Sequence, residues 1–271
     1  MTEIRTWTRQ RDGEVSYNCG EDFPRLTRLP VAFHEFLENQ VPEIAAEHSA
    51  RFERMLRDLL SEAGAEPANI QSSVESWSDL SSLQRLLLEY ACSLLRIRAA
   101  SSDDELSVPR ERFWRANLYP VYYMFKAALE MMERESALEL LKQFVDVRRK
   151  ALTDPIPDLP DPGRWWDELE APCEVTEGVA ARFGQGKIAF RVESCILHDV
   201  MTPLGDPELA DIVCCYGDKS GFEALNPNLV FTRTTTLMDG PYCDACMHDR
   251  RFVDTIDHPD HEFFQQLSHE S

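Results

Sequence analysis

The sequence predicts an α+β protein, with a helical amino-terminal region packed on a smaller carboxy-terminal α+β domain whose sheet is mainly antiparallel. Apolar residues recur at helical spacing in the first half, whereas they alternate at a period of two near residue 190. A stretch with four prolines, "TDPIPDLPDPG", separates the two patterns. The predicted divisions are a helical region at 1–153, a Pro-rich linker at 154–163, an α+β domain at 164–254 and an acidic tail at 255–271.

The helical region shows two clear helix signals. "VPEIAAEHSARFERMLRDLLSEAG" carries its apolar residues on one side of a helix, and Ser81 and Gln84 stand at capping-box spacing before an apolar run. We therefore expect at least four helices and no strand before about residue 153. We expect the acidic tail to be loosely held.

The carboxy-terminal domain shows strand signals around one short helix. "GKIAFRVESC" alternates apolar and polar residues, and "NLVFTRTTTL" is rich in β-branched residues, so both are predicted strands. Between them, Asp206 is a predicted N-cap, Pro207 a first helical residue and Gly217 the end of the helix.

The composition limits the partners that we expect. With 28 basic and 48 acidic residues the formal charge is −20, which disfavours nucleic acid and anionic membranes. No apolar run has transmembrane length, and the amino terminus lacks the apolar centre of a signal peptide, so we expect a cytoplasmic protein. A small-molecule substrate, expected to carry a carboxylate, is the predicted partner, and a homo-oligomer is compatible with the sequence.

Cysteines dominate the segment from 195 to 248, and a metal site is one hypothesis for them. In a reducing compartment, eight cysteines favour metal binding or thiol chemistry over disulfides. Zinc (Zn²⁺) takes Cys and His as tetrahedral ligands, and a C-x-x-C pair is a common chelator. The candidate metal ligands are Cys195, His198, Cys215, Cys243, Cys246 and His248.

A thiol nucleophile and inert buried thiols are two further hypotheses for the same cysteines. A nucleophilic cysteine needs a nearby cation or imidazole that lowers the thiol pKa, and Arg233 or a histidine can supply this, with Asp218 or Asp244 orienting an imidazole. Arg233 stands alone in an otherwise apolar or hydroxylated segment. It is either a surface ion pair or a clamp for a carboxylate.

The same segment resembles a known family. The spacing C-x19-C-x2-D from Cys195, the helix "LGDPELADIVC" and the stretch "FTRTTTLMDGPYCD" from Phe231 resemble the L-2-amino-thiazoline-4-carboxylic acid hydrolase family over about residues 188–246. Two departures are "CDACMH", which adds Cys246 and His248, and the vicinal pair of Cys214 with Cys215.

The resemblance implies a hydrolase that opens the C=N or amidine-type bond of a small sulfur heterocycle, giving an N-carbamoyl amino acid. A Cys thiolate or a metal-bound hydroxide would attack the ring carbon. The implied catalytic residues are Cys215, Asp218, Cys243 and Asp244, and the implied substrate-binding residues are Arg233 and Thr236. Gly240 is expected to serve a turn with positive φ. Two other hypotheses stay open: a non-catalytic ligand- or metal-binding module, and a metal or redox tailoring enzyme of secondary metabolism on the same scaffold.

Overall fold

A computed structural model of the chain describes residues 2–10, 13–62, 80–97, 104–157 and 173–267. Its contacts divide the chain into two compact units, which differ from the predicted divisions. One unit is Asp12–Phe144, and the other joins Met1–Arg11 to Val145–Ser271. Most of the predicted Pro-rich linker, residues 158–163, lies outside the described residues.

The Asp12–Phe144 unit is mainly helical, as predicted. The helices are α1 (Cys19–Gln40), α2 (Pro42–Glu62), α3 (Ser82–Leu95), α4 (Arg110–Leu129) and α5 (Arg134–Leu152), the last of which continues into the other unit. The predicted capping box is confirmed, because the Ser81 side chain accepts from the Gln84 N–H and the Gln84 side chain accepts from the Ser81 N–H.

The prediction that the first 153 residues contain no strand is wrong. Two strands, β2 (Glu14–Asn18) and β3 (Glu105–Pro109), form an antiparallel pair in the helical unit. Each has only five residues, and only Tyr17 and Val108 among them are buried. Both segments alternate apolar and polar residues, but over only five residues each, and the two partners are far apart along the chain, so the local pattern alone did not identify them as strands.

The other unit is built on a five-stranded antiparallel sheet, and its first strand comes from the amino terminus. The strands are β1 (Thr2–Trp7), β4 (Thr176–Phe183), β5 (Lys187–Cys195), β6 (Leu229–Thr232) and β7 (Cys243–Asp249). Their order in the sheet is β1-β4-β5-β7-β6. The predicted strand at 187–195 is confirmed, whereas the predicted strand "NLVFTRTTTL" ends at Thr232, so Arg233 lies in the loop that follows.

The two faces of this sheet are covered differently. We call the face that carries Trp7, Phe190 and Val192 the front face. The opposite, back face carries Val179, Ala189 and Cys246, which pack with Phe264 in one apolar cluster. Side chains alternate between faces along a strand, so every strand contributes to both.

Short helices complete this unit. They are α6 (Ile196–Met201), α7 (Pro207–Cys214), α8 (Asp218–Leu225) and α9 (His261–Gln266). The predicted cap of α7 is confirmed, since the Asp206 carboxylate accepts the Leu209 N–H at 3.1 Å. Asp218, predicted to follow a helix end at Gly217, instead begins α8.

The acidic tail, predicted to be loosely held, is instead packed on the back face of the sheet up to Leu267. Helix α9 places Phe264 and Leu267 in the back-face cluster, where both side chains are buried. No helix in the described ranges is long and apolar enough to cross a membrane.

Candidate active site

A cavity of about 550 Å³ lies on the front face of the sheet. Trp7, Phe190, Val192, Ala245 and Met247 come from the strands that form its floor. Leu197, Cys214 and Phe222 enter from α6, α7 and α8. A cavity of this size, mainly apolar with a few polar groups, is typical of small-molecule sites.

The cysteines that the sequence singled out converge on this cavity. Cys195 ends β5 and precedes α6, Cys215 follows α7, and Cys243 begins β7, yet all three line the same space. Cys214 and Cys173 line it as well. Cys195, Cys215 and Cys243 meet because each lies at the end of an element that borders the cavity.

Arg233 and Asp218 form the charged part of the cavity wall. The Arg233 guanidinium donates to the Asp218 carboxylate at 2.8 Å and to the Cys215 carbonyl at 2.7 Å. These two bonds use two of the five N–H donors of an arginine. The Asp218 side chain remains 36% exposed, so it is accessible from the cavity. Burial raises the pKa of Asp218 above its ordinary value, although the positive charge of Arg233 acts to lower it.

Burial in this apolar cavity raises the pKa of Cys195, Cys214, Cys215 and Cys243. Besides burial, nearby carboxylates raise the pKa of Cys214 and Cys215 further. Burial also raises the pKa of Cys243 to about 12, although the Leu237 N–H, which donates to its sulfur at 3.1 Å, acts in the opposite direction. For Cys195, burial raises the pKa while the N–H groups of His198 and Leu197 lower it.

The structure places Asp244, a predicted catalytic group, in contact with the loop that follows β6. Its carboxylate does not line the cavity. It accepts the N–H groups of Thr234 at 2.6 Å and Thr235 at 2.9 Å, as well as the Thr234 hydroxyl, and lies 3.2 Å from His258 Nε2. Although burial opposes ionisation, these donors hold the pKa of Asp244 at about 2. The loop that Asp244 fixes begins with Arg233.

Thr236, predicted to bind substrate, is buried in the same loop and does not line the cavity. Its hydroxyl donates to Asp211 at 3.1 Å, and its carbonyl accepts the Gly240 N–H at 2.8 Å. The expected positive φ at Gly240 is not observed. Glycine is needed there because a Cβ atom would collide with the Thr235 hydroxyl.

Of the six predicted metal ligands, Cys195, Cys215 and Cys243 line the cavity, whereas His198, Cys246 and His248 do not. Cys243 and Cys246 are three residues apart on β7, and the side chains of a strand alternate, so they lie on opposite faces of the sheet. Cys246 packs in the back-face cluster, and the buried His248 contacts the Thr232 hydroxyl at 3.2 Å. His198 contacts Thr202 outside the cavity. Within the described ranges, no group of three or more His, Cys, Asp and Glu side chains is arranged to hold a metal ion.

Several residues of the cavity were not predicted from the sequence. Trp7 and Cys173 come from segments outside the cysteine motif, and Phe222 and Phe231 stack on each other with ring centroids 5.3 Å apart. An isolated aromatic residue gives no pattern that distinguishes a cavity wall from a core. Only the pairing of β1 with β4 brings Trp7 to the front face.

One known family matches the part of the chain that contains most of this cavity. The family described as L-2-amino-thiazoline-4-carboxylic acid hydrolase matches residues 112–247, half of the chain, and this range contains Cys195, Cys215, Asp218, Arg233 and Cys243. No curated protein and no solved structure matched the chain. The protein therefore belongs to the L-2-amino-thiazoline-4-carboxylic acid hydrolase family.

Proposed function

We propose that the protein is a hydrolase that opens the ring of a small cyclic amidine-type carboxylate in this cavity, with Cys243 as nucleophile. The observation that carries the proposal is the placement of a thiol, a carboxylate and a guanidinium on the wall of one apolar cavity. Family membership supports a hydrolase-like function. The substrate class follows the family's description, and the roles of the residues are proposed from their contacts in the cavity.

Arg233 binds the substrate carboxylate in this proposal. It is held from one side by Asp218 and the Cys215 carbonyl, which leaves N–H donors of the guanidinium for a second acceptor. An arginine offers a planar pair of donors that matches a carboxylate. The cavity excludes much of the surrounding water, which strengthens this ion pair.

Cys243 attacks the ring carbon of the C=N bond. Asp218, whose pKa is raised, accepts the thiol proton, and the Leu237 N–H stabilises the sulfur. The sulfur of Cys243 bonds to the carbon and the ring C–S bond breaks, so the ring sulfur leaves as a thiol after taking up a proton. Water then adds to the same carbon and the Cys243 thiolate leaves. The net reaction consumes one water and yields an N-carbamoyl amino acid when the ring carbon carries an amino group.

A ligand-binding module without turnover is the second candidate function. The observation that favours it is the raised pKa of Cys195, Cys214, Cys215 and Cys243, since buried neutral thiols are poor nucleophiles. In the hydrolase proposal, the substrate must offset this by bringing a cationic amidine group next to the thiol.

One experiment separates the two functions. The protein is incubated with 2-amino-thiazoline-4-carboxylate, the N-carbamoyl product is measured by mass spectrometry, and binding is measured by calorimetry. Wild-type turnover that disappears in Cys243→Ala, with binding retained, is expected for the hydrolase. Saturable binding with no product over hours would support the module and contradict the hydrolase proposal.

A further inference from the structure

The cavity is larger than the substrate for which the family is named. The molecule 2-amino-thiazoline-4-carboxylate has nine non-hydrogen atoms. If each atom occupied the volume of roughly 30 Å³ that one water molecule takes up in the liquid, the whole molecule would fill about 270 Å³, which is an upper bound. The cavity has about 550 Å³. About half of it is therefore available for another part of the ligand.

The additional space lies along one row of residues across the sheet. Trp7 pairs with Gly178, Gly178 with Val192, and Val192 with Cys243. Trp7, Val192 and Cys243 all line the cavity. With strands spaced about 4.8 Å apart, the backbone positions of Trp7 and Cys243 are separated by roughly 14 Å. One end of this row is the thiol, and the other is an indole ring.

Gly178 allows the indole ring to lie over the row. A Cβ atom at this position would lie 2.0 Å from the Arg191 carbonyl oxygen and 2.9 Å from the outer edge of the Trp7 ring, so glycine is required by the neighbouring strand and also leaves room for the ring. The ring orientation is fixed by its Nε1–H, which donates to the Thr176 hydroxyl at 3.2 Å. Phe190 packs edge-on against the indole with centroids 6.3 Å apart, giving an aromatic end to the cavity.

The segment that carries Trp7 is tied to the rest of the site. The Cys173 N–H donates to the Thr8 carbonyl at 3.0 Å, and the Gln10 N–H donates to the Cys173 carbonyl at 3.1 Å. Arg9 forms an ion pair with Asp199 of α6 at 2.8 Å, and its own side chain is only 9% exposed. Backbone hydrogen bonds and an ion pair therefore hold the aromatic end of the cavity in place.

We propose that Trp7 and Phe190 form a subsite for an aromatic or similarly bulky apolar substituent on the amino group that the reacting carbon of the substrate carries. This proposal rests on the proposed function for the position of that carbon beside Cys243. A substituent that extends from there along the row passes over Val192 and reaches the part of Trp7 that lines the cavity. Trp7 is thus a specificity-determining residue, and it lies outside the range matched by the family.

Calorimetry with two derivatives of 2-amino-thiazoline-4-carboxylate tests the subsite, one carrying a methyl and the other a phenyl group on the exocyclic amino nitrogen. The wild type should bind the phenyl compound at least about tenfold more tightly, because the ring buries additional apolar surface. Trp7→Ala should remove this preference. Phe263→Ala is the matched control, since it truncates an aromatic residue of the back-face cluster and should keep the preference.

Equal wild-type affinities for the two compounds would overturn the subsite, and this result needs no variant. A folded Trp7→Ala protein that keeps the preference would also overturn it. If Trp7→Ala does not fold, Trp7→Leu replaces it with the same expectation. Because binding is measured without turnover, a phenyl preference without product formation would retain the subsite and reject the hydrolase. Turnover of 2-amino-thiazoline-4-carboxylate itself without a phenyl preference would do the reverse.

Discussion

Arg233 and Asp218 face each other on the cavity wall, with 2.8 Å between the guanidinium nitrogen and the carboxylate oxygen. Asp218 begins α8 and Arg233 follows β6, so the ion pair joins a helix to the edge of the sheet. Only 15% of the Arg233 side chain is exposed, which holds the guanidinium in one position. The pair therefore presents a fixed cation next to the thiols.

Replacing Arg233 with lysine tests the carboxylate clamp. Lys keeps the charge but loses the planar fork, so KM for a carboxylate substrate should rise on the order of tenfold while kcat changes less. Steady-state kinetics on the purified variant measure both constants. Arg251→Lys, at a residue whose guanidinium pairs with Asp249, is the matched control and should leave KM unchanged. An unchanged KM in Arg233→Lys would remove the clamp from the account.

Asp244→Asn tests whether the loop after β6 depends on the carboxylate. The variant loses the charge that accepts from Thr234 and Thr235, so the free energy of unfolding should fall by about 1–3 kcal/mol at neutral pH. If the loop positions Arg233, KM should rise as well, while the pH dependence of kcat keeps its shape. If the folded variant has the same KM as the wild type, Asp244 stabilises the fold but does not position Arg233.

The low pKa of Asp244 also predicts how the stability of the fold changes with pH. The folded value of about 2 is below the ordinary value of 3.8, so the carboxylate stabilises the fold fully above pH 4 and loses this contribution as the pH falls towards 2. Denaturant unfolding at pH 3 and pH 6 should therefore show a smaller difference between wild type and Asp244→Asn at pH 3.

His248 also makes stability fall as the pH falls, but in a higher pH window. Burial, together with the nearby Lys187 and His258, lowers its pKa from 6.5 to about 4. As the pH falls from 6.5 to 4 the unfolded chain binds a proton that the folded chain does not, so stability should fall by up to about 3 kcal/mol. His248→Gln should flatten this part of the stability profile, as measured by denaturant unfolding at several pH values. A profile identical to that of the wild type would show that the imidazole is not held neutral.

The sequence indicated the convergence of the cysteines because each stands at the end of a recognisable element. The strand at 187–195 and the cap at Asp206 follow from local patterns, and local patterns were sufficient to place Cys195 and Cys215. The sequence did not show on which face each side chain lies. The segment "CDACMHD" shows no clear alternation of apolar and polar residues, because both faces of β7 are covered. The sequence therefore predicts Asp244 and Cys246 as site residues, whereas the strand places both side chains on the back face.

The contribution of the amino terminus could not be predicted from local patterns. Strand β1 is placed by pairing with β4, whose residues lie more than 160 positions further along the chain. Nothing in "TEIRTW" specifies that partner. Trp7 therefore became a site residue only through the tertiary structure.

In the proposed mechanism Cys243, and not Cys246, is the nucleophile. Both residues belong to β7, but Cys243 lines the cavity and Cys246 packs on the back face. We would measure activity per folded molecule with 2-amino-thiazoline-4-carboxylate, together with the melting midpoint, for Cys243→Ser and Cys246→Ser. Serine raises the side-chain pKa far above that of a thiol, so Cys243→Ser should lose turnover by at least about a hundredfold with a stability loss of about 1–2 kcal/mol. Cys246→Ser should lower the melting midpoint and keep its specific activity. Full specific activity in folded Cys243→Ser would contradict the account.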